Sequence, residues 1–110
     1  METIKSRLEF EKVFSHGRRL SHKLVRMTVL RCDEGGLGRV AFVAPRRLGN
    51  AVFRNRCKRV LREAARMSEL PPEGTQIILF ATRLTHESSP AEVSLAVLQL
   101  LKRLNGKQGA

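Results

Sequence analysis

The stretch from Gly49 to Glu63 constrains this chain more than any other. It sets five basic side chains into the nine positions 54 to 62, yet an apolar seam runs through it unbroken. On a helix, Phe53, Cys57, Val60, Leu61, Ala64 and Met67 recur at i, i+3, i+4 and i+7 and share an arc of roughly 120°. Arg54, Arg56, Lys58, Arg59, Arg62 and Arg66 take most of the remaining circumference. Such a helix sits on a core by one stripe and still offers a dense field of positive charge to a polyanion. An ordinary solvated face would carry both signs, with acids spaced to pair with the bases. Here Glu63 is the only acid between Arg39 and Glu69.

The whole chain leans the same way. Lys and Arg number 21 against 10 acids, a net charge of +11. In a small domain that means strong self-repulsion unless a polyanionic partner neutralises it. Nucleic acid fits better than an anionic membrane. No apolar run approaches the roughly 20 residues of a spanning helix, and the start shows no signal-peptide pattern. The bases are mostly Arg, whose planar fork suits bidentate phosphate contacts. The 110 residues suffice for one core, so a single domain over 1–110 is expected. Cys57 on the seam and Cys32 near a strand end read as reduced thiols of a cytoplasmic protein. His16, His22 and His86 form no ligand spacing with the cysteines or one another, so no side-chain metal site is expected.

Local signals divide the chain into six elements. Ser6-Arg7-Leu8-Glu9 has the form of a capping box and His16-Gly17 supplies a stop, predicting a helix over 7–16 with Phe10, Val13 and Phe14 as its apolar residues. Val25, Met27 and Val29 alternate with Arg26 and Thr28, a strand signal over 24–32. Asp33-Glu34-Gly35-Gly36 reads as a turn, and 39–44 as a second strand, expected to pair with the first as a hairpin. Asn50 is the expected N-cap of the basic helix. Ile77-Ile78-Leu79-Phe80-Ala81 is a continuous apolar run, as a central strand covered on both faces requires. Ser89, Pro90 and Glu92 open a last helix whose buried stripe is Val93, Val97, Leu100, Leu101 and Leu104, ending at Asn105-Gly106. The order α-β-β-α-β-α describes a small α+β sandwich, helices against a sheet.

Motifs for chemistry by the chain's own side chains are missing. Ser21 and His22 are adjacent without an acid to orient the imidazole, and the Gly35-Gly36-Leu37-Gly38 cluster belongs to a turn. Neither a Walker loop nor a dinucleotide fingerprint occurs. The basic helix suits structured RNA better than a DNA groove, because a strand and Pro45-Arg46-Arg47-Leu48 precede it where a helix-turn-helix reader needs a helix. Asn55, amid the cations, can donate and accept hydrogen bonds and so fix register. Phe10 and Phe14 share a helix face, and the residues alone favour a core role for them over stacking on unpaired bases.

The run Arg46-Arg47-Leu48-Gly49-Asn50-Ala51-Val52-Phe53-Arg54-Asn55-Arg56-Cys57-Lys58-Arg59-Val60-Leu61-Arg62-Glu63 resembles the signature of the bacterial ribonuclease P protein subunit. The segment Glu9 to Arg18 is similar to that family's first helix, and Pro45 departs from the residue usual before the basic pair. The resemblance implies a mixed sheet with a left-handed βαβ crossover, against the usual right-handed preference. It also implies a partner RNA that hydrolyses precursor tRNA with Mg2+, one protein per RNA, the protein binding that RNA and the single-stranded 5′ leader. Carried onto this chain, Arg54, Asn55, Arg56, Lys58, Arg59 and Arg62 would face the catalytic RNA, and Phe10, Phe14, Arg46 and Arg47 would line the leader cleft. Two other readings are a structural RNA-binding protein of the ribosomal kind and a nuclease acting alone. The eighteen-residue motif argues against the first. The lack of a carboxylate cluster argues against the second.

Overall fold

In the computed structural model, which describes residues 1–31 and 36–109 (side chains through 105), helix α1 spans Arg7–His16. Strands β1 (Arg18–Ser21), β2 (Val25–Arg31) and β3 (Arg39–Val43) follow, then a short 3-10 turn (Arg46–Leu48). Helix α2 (Ala51–Met67), strand β4 (Thr75–Ala81) and helix α3 (Pro90–Gly109) complete the chain. This is the expected α+β order with β1 added. That strand carries one apolar residue, Leu20, in four, too little for a pattern; its register opposite Met27 of β2 supplies what its composition lacks.

The sheet order is β1-β2-β4-β3, antiparallel except for the parallel β3–β4 pair. The hairpin expected between β2 and β3 does not form, because β4 lies between them. Burial explains the exchange. Ile77, Ile78 and Leu79 are fully buried, and only a central strand covers both faces of such a run. β3 is left outermost, and the N-terminal segment covers its free edge: Ile4 N–H donates to the Val40 carbonyl at 2.9 Å and Val40 N–H to that of Glu2 at 3.0 Å. β3, α2 and β4 thus make a βαβ unit in an otherwise antiparallel sheet. Cys32 and the first three residues of the turn expected at 33–36 lie outside the described residues.

Strand parity sorts the two faces. Val25, Met27, Val29, Ile77 and Leu79 join Val40, Cys57, Leu61, Val93, Val97 and Leu100 in the core between sheet, α2 and α3. Arg26, Thr28, Ile78 and Phe80 look the other way, toward α1. Ser6 caps α1, accepting from Glu9 N–H, and Gly17 ends it. A Cβ at Gly17 would lie 2.5 Å from the Val13 carbonyl oxygen and 2.7 Å from Thr28 Cγ2, so only glycine lets α1 close onto β2 here. The Arg39 guanidinium ties β3 to α1 through Glu9, at 2.7 and 2.9 Å.

α2 begins as expected, with Asn50 Oδ1 accepting from Phe53 N–H at 2.9 Å. Its buried residues are Cys57, Leu61, Ala64 and Ala65, with Phe53 and Val60 half-buried beside them. Met67, expected on the seam, is 48% exposed, and Ala65 takes its place. The helix leans on its small residues because α3 approaches there: Ser68 Oγ lies 2.6 Å from Ser94 Oγ. Burial pushes the Cys57 thiol pKa up. In a Cys32→Ser background, Cys57 should therefore label slowly with a thiol reagent until denaturant is added; rapid native labelling would contradict this packing.

α3 opens with the expected reciprocal box. Ser89 Oγ accepts from Glu92 N–H at 3.1 Å, and the Glu92 carboxylate accepts from Ser89 N–H at 3.0 Å. Those bonds hold the Glu92 carboxyl pKa below its ordinary value. The helix runs on through Asn105-Gly106, where an end was expected. Asn105 is not spent as a cap: its Oδ1 accepts from Arg31 at 2.6 Å, and an internal glycine costs only about 1 kcal/mol.

Candidate nucleic-acid interface

Two cationic surfaces result, one on α2 and one on the α1 side of the sheet. On α2, Asn55, Arg56, Arg59 and Arg62 are exposed, and Arg54 and Lys58 half-buried. Glu63 pairs with Arg66, which holds the carboxyl pKa down. Among the described residues, therefore, no carboxylate lies within ion-pair distance of Arg54, Arg56, Lys58, Arg59 or Arg62. The field is unneutralised. Arg62 is held over the Phe42 ring at 5.4 Å, a cation–π contact that fixes it near β3. Arg54 Nε is buried without a hydrogen-bond partner among the described residues, so this arginine is braced by packing more than by polar contact.

The second surface is an open cleft of about 300 Å³, with walls from α1, β1, β2, β4 and the segment leading to α2. Phe14 is 41% exposed at its mouth, unusual for a phenylalanine whose helix packs on a sheet. Its ring lies 5.9 Å from that of Phe80, and the Arg19 guanidinium sits 4.6 Å above it. Arg26, Arg47 and Pro45 complete the charged and apolar lining. Arg26 and Arg47 also border a second hollow of about 350 Å³ shared with Lys23 and Arg83, so positive charge continues past one end of the cleft.

Of the four residues expected to line this cleft, Phe14 and Arg47 do so. Phe10 is half-buried and stacks on Phe14, rings 6.4 Å apart, outside the cavity wall. Arg46 is exposed on the 3-10 turn, also outside it. Sequence reasoning missed Arg19, Arg26 and Phe80. The β2 alternation already set Arg26 opposite the core face, and the β2–β4 register places it beside Phe80, but that register is invisible without the sheet order. Pro45 lines the cleft, and its carbonyl accepts from Leu48 N–H at 3.1 Å to start the 3-10 turn.

Among the described residues, no nucleophile, base and acid gather at either surface. The His22 Nδ1 accepts from Leu24 N–H at 3.1 Å, a turn contact, and its Nε2 faces Gln99. Among the described residues no three His, Cys, Asp or Glu side chains could jointly hold a metal ion. The cleft's charged groups are guanidinium groups, which cannot ligate a hard cation. No helix among the described residues is long and apolar enough to cross a membrane.

Comparison with known proteins covers nearly the whole chain. The profile of the Ribonuclease P family matches residues 1–105. The ribonuclease P protein component of Symbiobacterium thermophilum is 38% identical over 103 residues, covering 91% of this chain and 88% of that protein. That of Alkaliphilus oremlandii is 33% identical over 100 residues, 88% and 85% of the two chains. Among solved structures, the RNase P protein from Thermotoga maritima superposes with a TM-score of 0.75 at 26% identity, covering 94% of this chain and 97% of that one. The Staphylococcus aureus RNase P protein shares the fold, with a TM-score of 0.77 at 21% identity over 94% and 95% of the chains.

Proposed function

The chain belongs to the bacterial ribonuclease P protein family, and on that premise we propose a division of labour between its two cationic surfaces. It is the protein component of a ribonucleoprotein endoribonuclease that works in tRNA 5′ processing, and its partner is the ribonuclease P RNA. The α2 face, with Arg54, Asn55, Arg56, Lys58, Arg59 and Arg62, is assigned to that RNA. The cleft is assigned to the single-stranded 5′ leader of precursor tRNA. One protein joins one RNA, in the cytoplasm, and bond cleavage is left to the RNA with its Mg2+.

The observation that carries the reading is the exposed Phe14 ring with Arg19 on it and Arg26 and Arg47 alongside. A single strand needs a flat surface for its unstacked bases and cations spaced along its backbone, and this cleft offers both. A groove for duplex would need no aromatic at its mouth. The protein's work is positioning: it holds the leader so that the scissile phosphate is presented to the RNA, and charge on α2 offsets repulsion between two polyanions. Neither task asks a protein side chain to move a proton. The direct test is a cleavage assay on precursor tRNA with the protein alone, the RNA alone, or both. Cleavage should need the RNA and improve with the protein at low Mg2+. Cleavage by the protein alone would overturn the proposal.

The α2 assignment makes its own prediction. Arg56→Ala and Lys58→Ala should leave the fold intact and weaken binding to the RNA subunit. Each should flatten the plot of log affinity against log salt by roughly one unit per lost phosphate contact. Unchanged slopes in both variants would move the interface off this helix.

A further inference from the structure

At the first turns of α2, away from the cleft, the Phe53 and His86 rings lie nearly parallel, with centroids 4.1 Å apart and planes at 13°. The pair forms part of a separate groove of about 430 Å³, whose other walls are Val52, Asn55, Arg56 and Arg59. None of these residues borders the Phe14 cleft. Val52 is 79% exposed, so an aliphatic side chain stands uncovered among cations. Charge recognition alone requires neither an aromatic stack nor an uncovered valine. Both are what an apolar, planar ligand requires.

The stack is held firmly from each side. The Gly49 backbone packs so closely on the Phe53 ring that a Cβ there would come within 3.2 Å of it. On the other side, His86 rides on the connection from β4 to α3. Thr85 is fully buried there; its hydroxyl donates to the Leu24 carbonyl at 2.6 Å and accepts from Thr82 N–H at 2.8 Å. Ser88 Oγ donates to the Leu84 carbonyl at 2.8 Å, closing the next turn. The turn that carries His86 is thus fixed by its neighbours before any ligand arrives, which lowers the cost of ordering it on binding.

We infer that this groove binds one unpaired nucleotide of the RNA subunit, its base continuing the Phe53–His86 stack beside Val52 and its flanking phosphates on Arg56 and Arg59. The inference rests on the reading of α2 as the RNA-facing helix and adds to it a base-binding site that charge does not explain. Structured RNA commonly offers such bases from loops and bulges, and aromatic side chains take them by stacking. The Asn55 amide, with donors and an acceptor, can read the edge of the base. Position favours the RNA subunit over the leader, because Arg56 and Arg59 belong to both the groove and the exposed α2 field.

The test uses the holoenzyme assembled from full-length protein and RNA subunit, read by binding titrations across salt and by base-directed chemical probing of the RNA. His86→Ala should weaken affinity roughly tenfold, as loss of one stacked base does. Its salt slope should match wild type, and His86→Phe, which keeps a ring, should restore the affinity. One nucleotide protected by wild type and by His86→Phe should become reactive with His86→Ala, while the rest of the footprint persists. Should His86→Ala prove unstable, Val52→Asp on the exposed wall should expose the same nucleotide without changing the melting temperature. Wild-type affinity and an unaltered footprint in both variants would overturn the inference alone. If Arg56→Ala and Arg59→Ala also bind and protect the RNA as wild type does, the α2 reading falls with it.

Discussion

Leu61→Ala is expected to destabilise the protein by about 2–5 kcal/mol, the range for truncating a large aliphatic in a packed interior. Leu61 is fully buried on α2, in the core where that helix meets β4 and α3. The loss combines transfer of the removed atoms with the void they leave, which neighbours pinned in a sheet cannot fill. Against a total stability on the order of 5–15 kcal/mol, it is a large fraction. Met67→Ala, at the end of α2 and nearly half exposed, should cost far less. Denaturant unfolding of the two variants checks both values. Because Leu61 faces away from the cationic surface, the folded fraction of Leu61→Ala should bind the RNA subunit with unchanged salt slope. Equal costs for the two variants would mean that α2 is rotated from the phase described.

Phe14→Ala should weaken holoenzyme binding of precursor tRNA by on the order of 1–3 kcal/mol and leave mature tRNA unaffected. The removed ring is the exposed one at the cleft mouth, stacked on Phe10 and capped by Arg19, so its loss takes away both the stacking surface and the seat of that guanidinium. A purely structural role predicts a different result. The melting temperature would fall, and both tRNAs would lose affinity equally. Phe10, half-buried and behind Phe14, is the contrasting position: Phe10→Ala should act mainly on stability, through the void it opens under α1.

What the chain revealed before folding follows the range of the interactions involved. Caps were legible because donor and acceptor are three residues apart: Ser6 with Glu9, Asn50 with Phe53, Ser89 with Glu92. The central position of β4 was legible because an unbroken apolar run has only one place to go. The partner of β2 was not, since apolarity ranks strands by burial and says nothing of which two are neighbours. The α2 face could be read because its cations sit at helical spacing on one element. The cleft was half legible for the opposite reason. Arg19, Arg26 and Phe80 come from three strands and meet only through the registers of β2 with β1 and β4. Phe14 and Arg47 were found through a family resemblance, where apolar periodicity alone would have buried Phe14 in the core. His86 had no local signal at all, because its stack on Phe53 joins the last connection of the chain to the start of α2.

Whether the cleft holds the leader can be read from one comparison that isolates that contact. Holoenzymes with wild-type protein and with Phe14→Ala are titrated against two precursor tRNAs, one with a full leader and one truncated before it reaches the cleft. If the ring stacks on leader bases, truncation weakens binding to the wild-type holoenzyme and has little further effect on the variant, because both changes remove the same contact. If wild type and Phe14→Ala lose the same affinity on truncation, the leader does not touch Phe14, and the cleft assignment is wrong.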